Sequence, residues 1–211
     1  FALSTVPGLS AISVFRISGP NAFLVLKKIT KAKVPENRFA SLRRIFWEEE
    51  IIDKCIVIAF NGNDSYSGEK TVEIHCHGSI AIINKLASIL TQCGSKLNIR
   101  PAEEGEFTRQ AFYNGKMDLI QVEGLSDLLR AETEAQRRIS FDSLDGVVSK
   151  KVEVWKSKIM SILAFLEADI DFNDQDLGDV EVLKMISGLL DLLKKELENF
   201  KGVRSIKEGL N

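Results

Sequence analysis

The period of the apolar residues changes once along this chain, and that change limits the fold more than any other feature. Up to about residue 115 the apolar side chains alternate as strands require or fall in short helical runs, whereas beyond Ala131 they recur every three or four residues over long stretches. Residues 104–129, EGEFTRQAFYNGKMDLIQVEGLSDLL, form the boundary. The first half sets Glu104, Glu106, Arg109, Asn114, Lys116 and Asp118 among Phe107, Phe112 and Tyr113, more polar chemistry than a linker carries. The second half starts a helix: Asp118 is placed as N-cap, Gln121 three residues on completes a capping box, and Leu119, Val122, Leu125, Leu128 and Leu129 follow at helical spacing. The expectation is an α+β unit over residues 1–117, built on one mixed sheet with helices, and an all-α segment over residues 118–211.

Within the first part, residues 12–17, ISVFRI, predict a strand apolar on both faces, which leaves Arg16 in a poor place for a charge. An unpaired buried guanidinium costs several kcal/mol, so Arg16 is half of a structural ion pair, a strand-end side chain that reaches back to water, or a clamp for an anionic ligand. Pro20 at the first helical position starts a helix with Ala22, Leu26 and Ile29 on its apolar face. Residues 41–47 and 51–60 predict two strands joined by the acidic turn Glu48-Glu49-Glu50, and a turn-rich loop, NGNDSYSG, leads into a strand over residues 71–77, TVEIHCH. There Val72, Ile74 and Cys76 share one face, and Glu73, His75 and His77 line the other. Glu is depleted in strands, so this row has three readings: a metal site, a solvated face, or a binding face in which Glu73 accepts hydrogen bonds from a ligand. A helix over residues 80–93 stopped by Gly94, and a short strand over residues 96–100, complete this part.

In the second part Val148, Val152, Trp155, Ile159, Ile162 and Leu166 draw one apolar stripe, and Val182, Ile186, Leu189, Leu193, Leu197 and Phe200 draw another, separated by the acidic stretch DIDFNDQDLG at residues 169–178. Two such helices pair antiparallel, and each keeps a face that needs a further partner. The acidic stretch lacks the length, glycine and terminal Glu of an EF-hand and reads as a solvated turn.

Composition closes several routes. A formal charge of -2 gives no general electrostatic case for nucleic acid. Cys55, Cys76 and Cys93 are odd in number and include no C-x-x-C pair, which argues against a disulfide framework or zinc finger and for a reducing cytoplasm. No apolar run is long enough to cross a membrane. No G-x-x-x-x-G-K-[ST] phosphate loop and no Ser-His-Asp or Cys-His spacing occurs, so no catalytic residue is placed in the chain.

Three stretches together resemble one family, the tRNA-modification GTPases of the MnmE (TrmE) type: STVPGLSAISVFRISG at residues 4–19, DSYSGEKTVEIHCHG at residues 64–78, and GEFTRQAFYNGKMDLIQVEGLSDLL at residues 105–129. IDF at residues 170–172 and KEGL at residues 207–210 add to the match. The resemblance implies a folate-binding, dimerising N-terminal domain over residues 1–117 and, over residues 118–211, the first part of a helical domain that ends before a GTPase domain. It implies a homodimer, a flavoprotein partner and tRNA as substrate, with an aminomethyl-type group installed on C5 of the wobble uridine in the cytoplasm. A tetrahydrofolate derivative, 5-formyl- or 5,10-methylene-, is the cofactor implied for this chain. GTP, Mg2+ and K+ belong to the GTPase domain, so this chain by itself is not expected to hydrolyse GTP, and no metal site is implied in it. The family's folate-contacting residues fall on Arg16, Glu73 and Lys116. A folate-dependent aminomethyltransferase-like enzyme and a plain dimerisation scaffold are the alternatives.

Overall fold

The computed structural model describes residues 1–171 and 179–208. The chain divides into two compact units, Phe1–Met117 and Asp118–Asn211. In the first, strands β1 (Ala2–Leu3), β2 (Ser10–Ser18), β3 (Ser41–Trp47), β4 (Glu50–Phe60) and β5 (Thr71–Gly78) form one sheet in the order β1-β2-β5-β4-β3. Every neighbouring pair is antiparallel, and a single parallel bridge from Asn37 to Ala59 supplies the mixed character. The α+β class read from the sequence is the one observed.

The alternation in β5 decides where the core lies. Val72, Ile74 and Cys76 join Phe15 and Ile17 of β2 and Cys55 and Val57 of β4 on one face of the sheet. Helices α1 (Ala22–Thr30) and α2 (Ile80–Leu97) cover that face with Val25, Leu26, Ile29, Leu86, Ile89 and Leu90. Each such side chain contributes about 1.5–3 kcal/mol by leaving water. All three cysteines are buried here as free thiols, and burial pushes each thiol up, Cys76 to about 11, which disfavours the nucleophilic thiolate at neutral pH. The opposite face carries Val14, Arg16, Glu73 and His75, all partly exposed.

Two local expectations need correction. Pro20 does not open α1: the chain turns at Gly19 and the helix starts at Ala22 behind Asn21. Gly94 does not stop α2 either, and residues 96–100 form no strand. The helix runs on to Leu97 and ends on left-handed Asn98, because Gly94 serves close approach instead: a Cβ there would lie 2.5 Å from the Ile99 carbonyl oxygen. A further helix, α3 (Glu106–Tyr113), occupies the polar, aromatic stretch; Arg100 Nη1 and Nη2 hold the Glu106 carboxylate in its first turn at 3.0 and 2.7 Å.

The β4–β5 ladder runs from Phe60 opposite Thr71 to Ile56 opposite His75. Beyond its end the Asp53 side chain takes over, accepting the His77 backbone N–H at 2.9 Å, with His77 Nδ1 at 2.7 Å and the Cys55 thiol at 3.4 Å. Burial alone raises the Asp53 carboxyl, but these donors outweigh it and hold the group below the usual carboxylate range.

The second unit contains α4 (Leu119–Arg130), α5 (Glu134–Leu144), α6 (Val147–Asp171) and α7 (Asp179–Glu208). Asp118 and Gln121 form the expected capping box on α4, and Thr133 with Gln136 builds a second on α5. The α6 and α7 stripes meet antiparallel, early α6 against late α7. The Trp155 ring lies edge-on to Phe200 at 5.3 Å, while Trp155 Nε1 and Lys158 Nζ donate to Glu196 at 3.1 and 2.6 Å. The acidic stretch at residues 169–178 enters the end of α6, and its residues 172–178, like residues 209–210 of the KEGL segment, lie outside the described residues. No described helix is long and apolar enough to cross a membrane.

Candidate ligand-binding site

Strand register builds the site. β2 and β5 pair so that Arg16 stands directly opposite Glu73, and Arg16 Nε and Nη2 both donate to Glu73 Oε1 at 3.1 and 2.7 Å. The two side chains are 21% and 18% exposed, enough for a solute to reach them and too little for water to screen them fully. The ion-pair reading of Arg16 is therefore the geometry observed. That pair also sits on the binding-face row, because Glu73 Oε2 lies 3.4 Å from His75 Nε2.

Two aromatic rings close around the guanidinium. Arg16 Cζ is 5.1 Å from the centroid of Tyr66 and 5.5 Å from that of Phe107, within cation–π range. Tyr66 comes from the loop before β5 and Phe107 from the first turn of α3, and the Tyr66 and Thr108 hydroxyls, 2.8 Å apart, tie the two elements together. Neither ring was picked out as a site residue by sequence reasoning. An aromatic residue inside the turn-rich NDSYSG run, one loop from the row of charged strand residues, is the signal that was available.

Buried hydroxyls hold the loop itself. Ser67 Oγ lies 2.6 Å from Ser18 Oγ and 3.1 Å from Thr71 Oγ1, so the loop is stitched to the ends of both central strands. The NGK turn after α3 clamps it from outside: Asn114 Nδ2 donates to the Ser67 carbonyl and Lys116 Nζ to the Asn63 carbonyl, each at 2.7 Å. Arg16 and Glu73 are thus in direct contact, whereas Lys116 meets the site through the loop and touches neither of them. His77 shares the face with His75 yet bonds to Asp53 instead of turning toward its neighbour. Among the described residues no group of three or more His, Cys, Asp or Glu is arranged to hold a metal ion.

Chemically the arrangement offers a carboxylate with one oxygen saturated by arginine and the other nearly free, beside a guanidinium flanked by two aromatic rings. The free oxygen can accept a hydrogen bond from an N–H donor of a ligand.

Comparison with known proteins covers both units. Residues 1–116 match the family described as the GTP-binding protein TrmE N-terminus, and residues 119–211 match the MnmE helical domain. The tRNA modification GTPase MnmE of Cereibacter sphaeroides is 39% identical over 212 residues, covering 99% of this chain and 49% of that protein. The MnmE protein of Roseobacter denitrificans is 43% identical over 192 residues, 90% of this chain and 44% of its own length. The mitochondrial 5-taurinomethyluridine-[tRNA] synthase subunit GTPB3 of Danio rerio is 40% identical over 201 residues, 94% of this chain and 39% of its own. The chain spans about half the length, or less, of these curated relatives.

Proposed function

The chain belongs to the TrmE (MnmE) family of tRNA-modification GTPases, and on that footing we propose that residues 1–117 are its reduced-folate-binding, dimerising domain and residues 118–211 the first part of its helical domain. In this reading the whole protein works in the cytoplasm with a flavoprotein partner on C5 of the wobble uridine of tRNA, and GTP hydrolysis requiring K+ and Mg2+ drives its cycle. This chain supplies the one-carbon donor site, for 5-formyl- or 5,10-methylene-tetrahydrofolate, and does not itself hydrolyse GTP.

The observation that carries the reading is the Arg16–Glu73 pair flanked by Tyr66 and Phe107, on the sheet face that α1 and α2 leave open. The donor set fits a reduced folate. Its pterin edge presents adjacent N–H groups to a carboxylate, which Glu73 Oε2 supplies, and Arg16 and Lys116 are the cations that hold oxygens of the ligand. Titration calorimetry of the chain with 5-formyltetrahydrofolate tests this. Glu73→Ala is expected to weaken binding at least ~10-fold, since a hydrogen bond to a charged group contributes about 1.5–3 kcal/mol. Unchanged affinity in that variant removes Glu73 from the site.

A further inference from the structure

We propose that His75 is a positioning residue of this same site, holding Glu73 so that one carboxylate oxygen stays available to the ligand; the assignment rests on the folate reading above. Left to themselves, a guanidinium and a carboxylate pair through both oxygens in two parallel N–H···O bonds. Glu73 does not do this. Arg16 Nε and Nη2 converge on Oε1 alone, and Oε2 is turned toward His75 Nε2.

The surroundings of His75 explain the pull. Its cross-strand neighbours are Val14 on β2 and Ile56 on β4, both apolar, and its side chain is 28% exposed. Glu73 Oε2 is its one hydrogen-bond partner among the described residues. An imidazole between apolar neighbours gains from an acceptor at one nitrogen, and the carboxylate gains from a donor on the oxygen that Arg16 leaves unfilled.

The contact is long, at 3.4 Å, so it orients Oε2 without saturating it. A carboxylate oxygen offers about two acceptor sites, and Oε1 has both occupied. Oε2 is therefore the oxygen that an incoming N–H edge meets. Without the imidazole, Glu73 rotates into the two-oxygen fork with Arg16. Its second oxygen is then withdrawn from the ligand, which must break a stronger ion pair to bind.

Three variants of the 211-residue chain test the role by calorimetry with 5-formyltetrahydrofolate. His75→Phe keeps a flat ring and removes the nitrogens, and is expected to lose at least ~10-fold in affinity. His75→Gln places an amide nitrogen where imidazole Nε2 lies and is expected to bind within ~3-fold of wild type. His75→Asn carries the same amide one bond short and is expected to behave like the Phe variant. Thermal unfolding run beside each titration shows that the variants share one fold, and the Gln–Asn contrast holds even if the Phe variant does not fold. If wild type binds and the Asn variant binds equally well, or if Gln and Asn lose affinity alike, the positioning role is overturned and the folate reading stands. A wild-type chain that binds no folate overturns both.

Discussion

The two units bury their apolar residues to different degrees. In the sheet unit Ile74, Val57, Val72 and Leu86 are fully out of water, enclosed between five strands and two helices. In the helical unit the described residues bury Ile162, Ile186 and Leu193, while Val152, Ile159 and Leu197 of the same stripes stay more than one-third exposed. A sheet face flanked by α1 and α2 is sealed by helices adjacent to its strands in the chain. A helical stripe covers only the side that its hairpin partner reaches, as Trp155 against Phe200 shows. Periodicity therefore states which side of a helix seeks cover, and packing alone states how much cover it receives.

Matched truncations give the largest test of that difference. Ile74→Ala is expected to cost about 2–5 kcal/mol, because it leaves a cavity in a sealed core. Ile159→Ala, 45% exposed, is expected to cost less than about 1 kcal/mol. Single-tryptophan chains separate the units, since Trp47 lies on β3 and Trp155 on α6. Urea unfolding followed at each tryptophan reads the two values, and equal losses would break the contrast. Glycine replacement comes next and should differ in sign. Gly68 has φ of +79°, and a Cβ there would lie 2.6 Å from Asn114 Cβ. Gly68→Ala should therefore destabilise the sheet unit by about 1–3 kcal/mol, read at Trp47. Gly188 sits within α7 with no neighbouring atom to meet, so Gly188→Ala should raise the stability read at Trp155 by up to about 1 kcal/mol.

The smallest effect is in acid, where each unit has a carboxylate held low. Asp53 is lowered because the His77, Lys54 and Cys55 donors outweigh its burial, and Glu134 is brought to about 2 by Arg137 and then Arg138. A carboxyl whose folded value lies below its unfolded one stabilises above the unfolded value, and the gain is lost as pH falls through the folded value. Asp53→Asn should therefore flatten the acid loss of stability read at Trp47. The Asp53 side chain is 7% exposed and that of Glu134 60%, so about 0.5 M NaCl should erase the effect of Glu134→Gln and leave that of Asp53→Asn. Equal salt sensitivity would show that Asp53 is as screened as a surface group.

Much of this was legible along the chain. The two faces of β5, the limits of β3, the capping box at Asp118 and the antiparallel stripes of α6 and α7 all follow from local period and end chemistry, which act over a few residues. Gly94 misled because its role is close approach to Ile99, and a lone glycine in sequence reads the same whether it ends a helix or admits a neighbour. Helix α3 was hidden because its polar and aromatic residues serve contacts to Arg100, Arg16 and Tyr66 that no local pattern encodes.

The candidate site divides in the same way. The sequence by itself determined that Glu73 and His75 share a strand face and that Arg16 is a charge in need of a partner, since alternation and desolvation act on each residue where it stands. Only the tertiary structure decided that the partner is Glu73, 57 residues away, that two rings flank the pair, and that Lys116 reaches the loop and not the carboxylate. Those outcomes depend on the register between β2 and β5 and on where α3 comes to rest. Both are set by burying one face of a whole sheet, a cooperative choice to which no single residue holds the key.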